Sequence, residues 1–386
     1  IDAESDFYRT INAGVHRVAH ELAARSTMAF EEARAKVARL VGASTVEGEE
    51  EIVVTSGATA GLNLLATAFG NASQGRGGEA ARRFAVKSGD EIVVSKAEHH
   101  SVLLPFQELA ARTGATLKWF DLDDEGRILA NTADEVITER TKIVAVTHVG
   151  NTTGAITDIA PIVKRAHEVG AVVVLDACQS VPHLKIDLHA LDVDFAAWSA
   201  HKMYGPTGVG FLYGKREMLE ALPPANFGGS MVELAWMDQE AQYMAPPARF
   251  EAGTQPVAQV VAAGVAAEWL MNIGMENLEA HERVIAGELL KMGQIEGVRI
   301  LGPHANERRI GTVAFEIEGV HPHDVGQFID AQGIAIRVGH HCAQPVHRHF
   351  GVYASNRASS GIYNCVEDAQ ALVEALKKVR PFFGVK

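Results

Sequence analysis

The sequence predicts an α/β fold, a mostly parallel sheet flanked by helices, with a second and smaller α+β unit toward the C-terminus. Three observations predict it. Apolar runs rich in Val and Ile are continuous rather than alternating, which marks strands covered on both faces. They take turns with stretches of helical period, as in successive strand and helix crossovers. Beyond about residue 255 the order becomes helix, strand, helix, strand, helix, which describes a separate α+β unit.

Residues 1–25 read as a helical segment ahead of a large unit over residues 26–250 and a small one over residues 251–386. Glu51-Ile52-Val53-Val54 is the first strand, followed by a turn and the helical Leu62-Asn63-Leu64-Leu65-Ala66. Glu91-Ile92-Val93-Val94 and Lys142-Ile143-Val144-Ala145-Val146 each lead into a loop. Ala171-Val172-Val173-Val174-Leu175 ends at Asp176, and Val193-Asp194-Phe195-Ala196-Ala197-Trp198 ends at Ser199. The polar, glycine-rich stretch from Asn71 to Glu79 has no apolar period and is expected as a surface loop. It lacks the Lys-Ser or Lys-Thr pair of a phosphate loop.

The pattern changes near Pro246-Pro247. An alanine-rich helix over about 257–271, strands at Gly311-Thr312-Val313-Ala314-Phe315-Glu316 and Gly333-Ile334-Ala335-Ile336-Arg337, and a helix over 366–379 make the smaller unit. Ligands of such parallel sheets sit beyond the carboxyl ends of the strands. Thr59, His99, Asn151, Asp176 and Ser199 each follow an apolar run, so this one rule gathers them into a crevice.

With 386 residues the chain is long for a single core, and 47% hydrophobic with 22% charged residues is ordinary for a soluble globular protein. The net charge of −13 and the absence of clustered Lys and Arg argue against nucleic acid. No apolar run approaches the roughly 20 residues that span a bilayer, so no membrane partner is expected. Ile1-Asp2-Ala3-Glu4 is neither a signal peptide nor a natural start, which suggests that the true beginning is missing. Three cysteines, Cys178, Cys342 and Cys365, do not make a disulfide framework, and a reducing cytoplasm is the expected setting. Seventeen histidines come without HExxH or paired CxxC spacing, so no structural metal is expected.

Trp198-Ser199-Ala200-His201-Lys202-Met203-Tyr204-Gly205-Pro206 puts a lysine among hydroxyl and imidazole donors, 26 residues after Asp176. That arrangement suits pyridoxal 5'-phosphate: the lysine holds the cofactor covalently, and the aspartate keeps the ring nitrogen protonated so that the ring accepts electrons. A lone lysine beside a Gly-Pro turn reads as a solvated surface residue. Its companions change that. The Thr55 to Asn63 stretch follows a strand and opens a helix, where Thr59 either helps to hold a phosphate or is a plain cap. In Glu98-His99-His100, His99 either stacks on a ring and moves protons or is a satisfied structural histidine. Asn151 reaches a ring oxygen or a substrate carboxylate, or else is a turn residue.

A second feature is Arg337-Val338-Gly339-His340-His341-Cys342-Ala343-Gln344-Pro345. Two histidines and an arginine before Cys342 make an electropositive loop in which a thiolate is stabilised and displayed as a nucleophile. Cys178 and Cys365 lack such neighbours and read as packing. Arg357 offers a fork for a substrate carboxylate, or forms a surface ion pair.

Together Asp176-Ala177-Cys178-Gln179, the run from Ser199 to Gly208, Glu98-His99-His100, Ala252-Gly253-Thr254 and the Arg337 to Ala343 loop resemble the SufS-type cysteine desulfurases over nearly the whole chain. These are fold-type I pyridoxal phosphate enzymes of the class V aminotransferase group. The resemblance implies the second desulfurase group, conversion of L-cysteine to L-alanine, and supply of sulfur to iron-sulfur cluster assembly. It implies that Lys202 carries the cofactor and moves the α proton, that Asp176 pairs with the ring nitrogen, that Gln179 contacts the ring oxygen and that His99 stacks. It gives the phosphate to Ala58, Thr59, Ser199 and His201, with Thr254 reaching the phosphate of a neighbouring subunit in a homodimer. Asn151 and Arg357 would bind the substrate carboxylate, Arg337 would orient the cysteine loop, and Cys342 would take the sulfur as a persulfide.

Ala58 departs from the hydroxyl residue common in relatives, so only its backbone N–H can serve. Cys178 departs from a small non-thiol residue. The resemblance also implies a sulfur acceptor of SufU or SufE type. His323 matches the histidine that displaces a SufU cysteine from zinc, and otherwise is a plain helix-start residue. Another class V activity, as in a selenocysteine lyase, an aminotransferase or a kynureninase-like hydrolase, shares Lys202 and Asp176 without always needing Cys342.

Overall fold

The computed structural model describes residues 1–16 and 19–385. Seven strands, β1 (Ile52–Thr55), β2 (Glu91–Ser95), β3 (Thr116–Phe120), β4 (Thr141–Thr147), β5 (Val172–Asp176), β6 (Phe195–Ser199) and β7 (Gly210–Gly214), form the large sheet in the order β1-β7-β6-β5-β4-β2-β3. The pairs β3/β2, β2/β4, β4/β5 and β5/β6 are parallel. Only β7 runs against its neighbours, and because it is antiparallel to both β6 and β1, β1 points the same way as the parallel set. Six carboxyl ends therefore share one edge. Strands β2, β4, β5, β6 and β7 are buried on both faces almost throughout, as continuous apolar runs require.

The smaller sheet is antiparallel. After a short hairpin of β8 (Val232–Leu234) and β9 (Gln242–Tyr243), strands β10 (Val298–Leu301), β11 (Thr312–Ile317), β12 (Arg337–Gly339) and β13 (Ser355–Ser359) order as β10-β11-β13-β12. The second expected strand of this unit is shorter and later than Gly333 to Arg337, because residues 334–336 pass in irregular backbone before pairing begins at Arg337.

The N-terminal helices pack against the helix that follows residue 256. The Glu21–Leu40 helix runs across residue 25: the His20 ring accepts a bond from Ala23 N at 3.1 Å, and Ala23, Phe30, Ala33, Val37 and Leu40 continue one buried stripe. That helix and the Asp2–Thr10 helix both pack on the Val257–Ile273 helix. The approach is close enough that a Cβ on Gly264 would come within 2.6 Å of Ala33 Cα. Buried residues from Val257 to Leu278 thus join the core of the large sheet, whereas Ile285, Leu289, Met292 and most later buried residues join the core of the small one, with Leu301, Ala314, Ala343, Val346 and Phe350 returning to the large core. The first change from one core to the other falls inside the Met275–Leu289 helix. The buried Arg34 fork ties this side to β1, bonding Glu251 through two nitrogens at 2.6 and 3.0 Å and Ile52 O at 2.7 Å. The expected Asn71 to Glu79 loop is shorter than predicted, since the Ala58–Ser73 helix continues into it. Among the described residues no single helix is long and apolar enough to cross a membrane.

Candidate active site

The shared strand edge builds a cleft of about 230 Å3. β5 delivers Asp176, whose Oδ1 accepts the Cys178 N–H at 2.9 Å, so the carboxylate is aimed by its own turn. β6 delivers Ser199, and the single turn Ala200–Lys202 that follows sets His201 and Lys202 on the rim. After β1 the chain passes Gly57 at φ 145°, a conformation open to glycine, and enters the Ala58–Ser73 helix. Backbones crowd here: a Cβ on Gly210 of β7 would lie 2.5 Å from Gly57 Cα. The Ala58 N–H points at Ser199 Oγ at 2.9 Å, and the Thr59 hydroxyl bonds that of Ser101 at 2.7 Å. A helix N-terminus with hydroxyls and N–H groups from two strand ends makes an anion cradle.

After β2, His99 caps the His100–Thr113 helix by accepting Ser101 N–H on Nδ1 at 3.0 Å, which leaves the proton on Nε2. Burial pushes its pKa down to about 4, with Lys202, His100 and Arg337 adding and Asp176 opposing, so the ring is neutral at working pH. Asn151, after β4, donates from Nδ2 to His341 O at 2.7 Å, and its own carbonyl accepts from Arg357 Nη1 at 2.9 Å. Gln179 lines the same cleft.

The small sheet brings its arginines to the mouth. Arg337 and Arg357 are register partners on β12 and β13, and Arg337 also lines the cleft. Arg357 has no carboxylate partner among the described residues, and its Nε is buried without a bond. Burial lowers its pKa to about 10, with Arg337 adding to the effect and Cys342 opposing it. A half-buried fork of this kind, facing one carbonyl and no acid, suits an anion. Cys342 follows β12 with Sγ 3.7 Å from Arg337 Nη2.

Most predicted positions therefore meet. Ala58, Thr59, His99, Asn151, Asp176, Gln179, Ser199, His201, Lys202 and Arg337 line one cleft, and Arg357 and Cys342 adjoin it. Two stand apart. Thr254 is exposed in the loop before the Val257–Ile273 helix, in a groove with Thr55 and Ser56, and His323 lies in the first turn of the Pro322–Asp330 helix on the small unit. Cys178 is buried, and burial pushes its thiol up to about 12, with Asp176 adding, which suits an inert packing role. Cys365 caps the Val366–Leu376 helix.

A model of the aminotransferase class-V family matches residues 1–372. The chain belongs to this family. Its members depend on pyridoxal phosphate. This class-V chain is 46% identical over 386 residues to a Mycobacterium leprae protein named probable cysteine desulfurase 2, covering all of this chain and 89% of that one. It is 39% identical over 385 residues to a cysteine desulfurase of Haloferax volcanii, with 87% of that protein covered. Among solved structures it is similar to the apo cysteine desulfurase of Thermococcus onnurineus NA1, with a TM-score of 0.90 and 34% identity over 98% of this chain and 91% of the other. It is also similar to the Escherichia coli cysteine desulfurase CsdA, in an S-sulfonic acid form, with a TM-score of 0.87 and 35% identity over 99% of this chain and 91% of the other.

The class-V cofactor fits the residues present. The cradle of Ala58 N–H, Thr59, Ser199 and His201 suits a phosphate, the buried Asp176 carboxylate suits a protonated ring nitrogen, and Lys202 lines the same cleft with no side-chain hydrogen bond or ion pair to described residues. When bound, the cofactor supplies an electron sink for the α carbon of an amino acid.

One group had no assigned role in the sequence. Glu98 is fully buried beneath His99, where Oε1 accepts Thr147 N at 3.1 Å and the Ser95 hydroxyl, and Oε2 has no partner. Burial pushes this carboxyl up to about 8, with Asp176 adding and the two hydrogen bonds opposing. A carboxyl raised in this way keeps a proton in the folded chain that the unfolded chain loses from about pH 4.5 upward. Folding is therefore favoured at low pH and increasingly penalised as pH rises through about 8. Glu98→Gln, neutral and of the same shape, is expected to melt like the parent near about pH 5 and about 2 °C or more above it near about pH 9. A melting difference that does not grow with pH contradicts a neutral Glu98.

Proposed function

We propose that this protein is a cysteine desulfurase of the SufS type, which moves the sulfur of L-cysteine onto Cys342 and passes it on for iron-sulfur cluster assembly. The observation that carries this reading is Cys342 Sγ beside Arg337, which lines the same cleft as Lys202, with Arg357 adjoining that cleft through Asn151 and facing no acid. The names of the relatives support the same activity.

Arg357 and the Asn151 amide bind the substrate carboxylate and so aim the α carbon at Lys202. Lys202 Nζ would remove and return the proton there, and His99 and Asp176, which line the same cleft, are the residues that would hold the cofactor ring. Cys342 Sγ, held 3.7 Å from Arg337 Nη2, gives up its proton and attacks the substrate sulfur. A sulfur–sulfur bond forms and the carbon–sulfur bond breaks. Its electron pair stays with the carbon, which takes up a proton and leaves as alanine. The carbon is reduced and the sulfur oxidised, so no outside oxidant is needed.

The expected setting is a cytoplasmic homodimer, in which the exposed Thr254 serves the phosphate of the other subunit. The acceptor is a protein of SufU or SufE type. If it is SufU with its zinc, His323→Ala is expected to leave basal sulfide release unchanged and to lose at least half of the stimulation that SufU gives. Unchanged stimulation removes the zinc exchange. The whole reading is tested by supplying the pyridoxal phosphate-loaded protein with L-cysteine and a thiol. Alanine and sulfide are expected in equal amounts, whereas transamination without sulfide would favour another class V activity.

A further inference from the structure

His341 and Cys342 are consecutive residues with left-handed backbone, at φ 51° and 57°. Neither is glycine, and such a residue keeps this backbone only where its surroundings hold it there. The loop backbone is held from three directions: Asn151 Nδ2 donates to His341 O at 2.7 Å, His100 N to Cys342 O at 2.8 Å, and Ala343 N to His340 O at 2.9 Å.

Beneath the loop lies a buried group of three side chains. Ser355 Oγ of β13 is 3.0 Å from His341 Nε2 and 2.9 Å from His347 Nε2, and His347 Nδ1 is 3.0 Å from Ala343 O. All three residues are buried. The proton positions follow from what each atom can do. A carbonyl only accepts, so His347 carries its proton on Nδ1. Its Nε2 then accepts, and the hydrogen it accepts is that of the Ser355 hydroxyl. With that hydrogen used, Ser355 Oγ can only accept from His341, which therefore carries its proton on Nε2. His341 Nδ1 is left as a buried lone pair without a partner, as observed. Both rings are neutral: burial pushes His341 down to about 3, with Arg357, His347 and Arg337 adding, and burial also lowers His347, with His340 adding and the Ala343 and Gly339 backbone opposing.

We propose that His341, Ser355 and His347 form a one-way hydrogen-bond clasp that starts one residue before Cys342, ends one residue after it, and positions the reacting thiol against Arg337. The direction runs from His341 Nε2–H to Ser355, from Ser355 O–H to His347, and from His347 Nδ1–H to Ala343 O. These are positioning residues: they act through the loop and touch no substrate. The role rests on the reading of Cys342 as the sulfur acceptor, although the clasp itself is a property of the loop.

The test uses the full chain loaded with pyridoxal phosphate. In Ser355→Ala, KM for L-cysteine is expected to stay within about twofold and kcat to fall about 10- to 100-fold, the scale of a misplaced reacting group. Alkylation of Cys342 by iodoacetamide, followed by peptide mapping at one fixed pH, is expected to change severalfold in rate as the thiol leaves its place beside Arg337. An unchanged kcat together with an unchanged alkylation rate overturns the clasp. If Ser355→Ala does not fold, His341→Asn serves instead, because Asn tolerates the left-handed backbone but cannot reach Ser355; parental behaviour there overturns the proposal equally. Nitrogen-15 spectra of the parent histidines give a readout free of turnover: His341 protonated on Nε2 and His347 on Nδ1 are expected, and the opposite pair contradicts the clasp. The alkylation rate keeps its meaning even if L-cysteine is not the substrate, so failure of the clasp and failure of the desulfurase reading are separable.

Discussion

Replacing Cys342 by serine is expected to lower sulfide release from L-cysteine about 100-fold or more, the scale seen when an activated nucleophile is lost. The hydroxyl is a far weaker attacker than a thiolate, and Arg337 cannot ionise it at neutral pH. Fold and cofactor binding should survive, because Cys342 is half-buried at the cleft mouth and the phosphate cradle comes from other elements. The visible absorbance band of the bound cofactor is therefore expected unchanged while turnover collapses. Sulfide release at the parental rate would assign the sulfur chemistry to some other group. Cys178 is a poor substitute, since its buried thiol is held up to about 12.

Lys202→Ala is the second large effect. It removes both the covalent hold on the cofactor and the group that moves the α proton, and general base catalysis alone contributes about 100- to 10,000-fold. Turnover and the absorbance band are expected to vanish together, which separates this variant from Cys342→Ser. Stability should change little, because Lys202 makes no hydrogen bond or ion pair with described residues and sits half-exposed after β6. Phosphate should still compete for the cradle of Ala58 N–H, Ser199 and Thr59. A Lys202→Ala protein with near-parental sulfide release would contradict the assignment of the cleft.

Much of this arrangement was legible because it follows from strand burial. Five apolar runs in the sequence became β1, β2, β4, β5 and β6, and the rule that ligands lie beyond their carboxyl ends brought Thr59, His99, Asn151, Asp176 and Ser199 together. Strands lacking that pattern stayed hidden. β3 is an edge strand with Thr116 and Trp119 exposed, so its run is not continuous, and β7 is five residues bracketed by Gly210 and Gly214. β13, Ser355-Asn356-Arg357-Ala358-Ser359, is polar enough to read as a loop, yet it places both Ser355 and Arg357.

The placement of the Val257–Ile273 helix was hidden for a related reason. The Val257–Ile273 helix is rich in alanine and nearly uniform around its axis, so the sequence does not say which core it joins, and close packing at Gly264 and Ala33 decides. Glu98 was visible as a letter, but its burial and missing partner are tertiary facts. The clasp around Cys342 depends on a serine 14 residues beyond His341, brought back by the pairing of β12 with β13.

The central claim is that Cys342 receives the sulfur. Mixing the cofactor-loaded protein with L-cysteine without any added thiol, trapping with an alkylating agent and mapping the peptides tests it most directly. One extra sulfur atom on the Cys342 peptide, with an equal amount of alanine released, is the predicted result. Alanine released while Cys342 stays a plain thiol and the extra sulfur is found on Cys365, Cys178 or nowhere on the chain would contradict it.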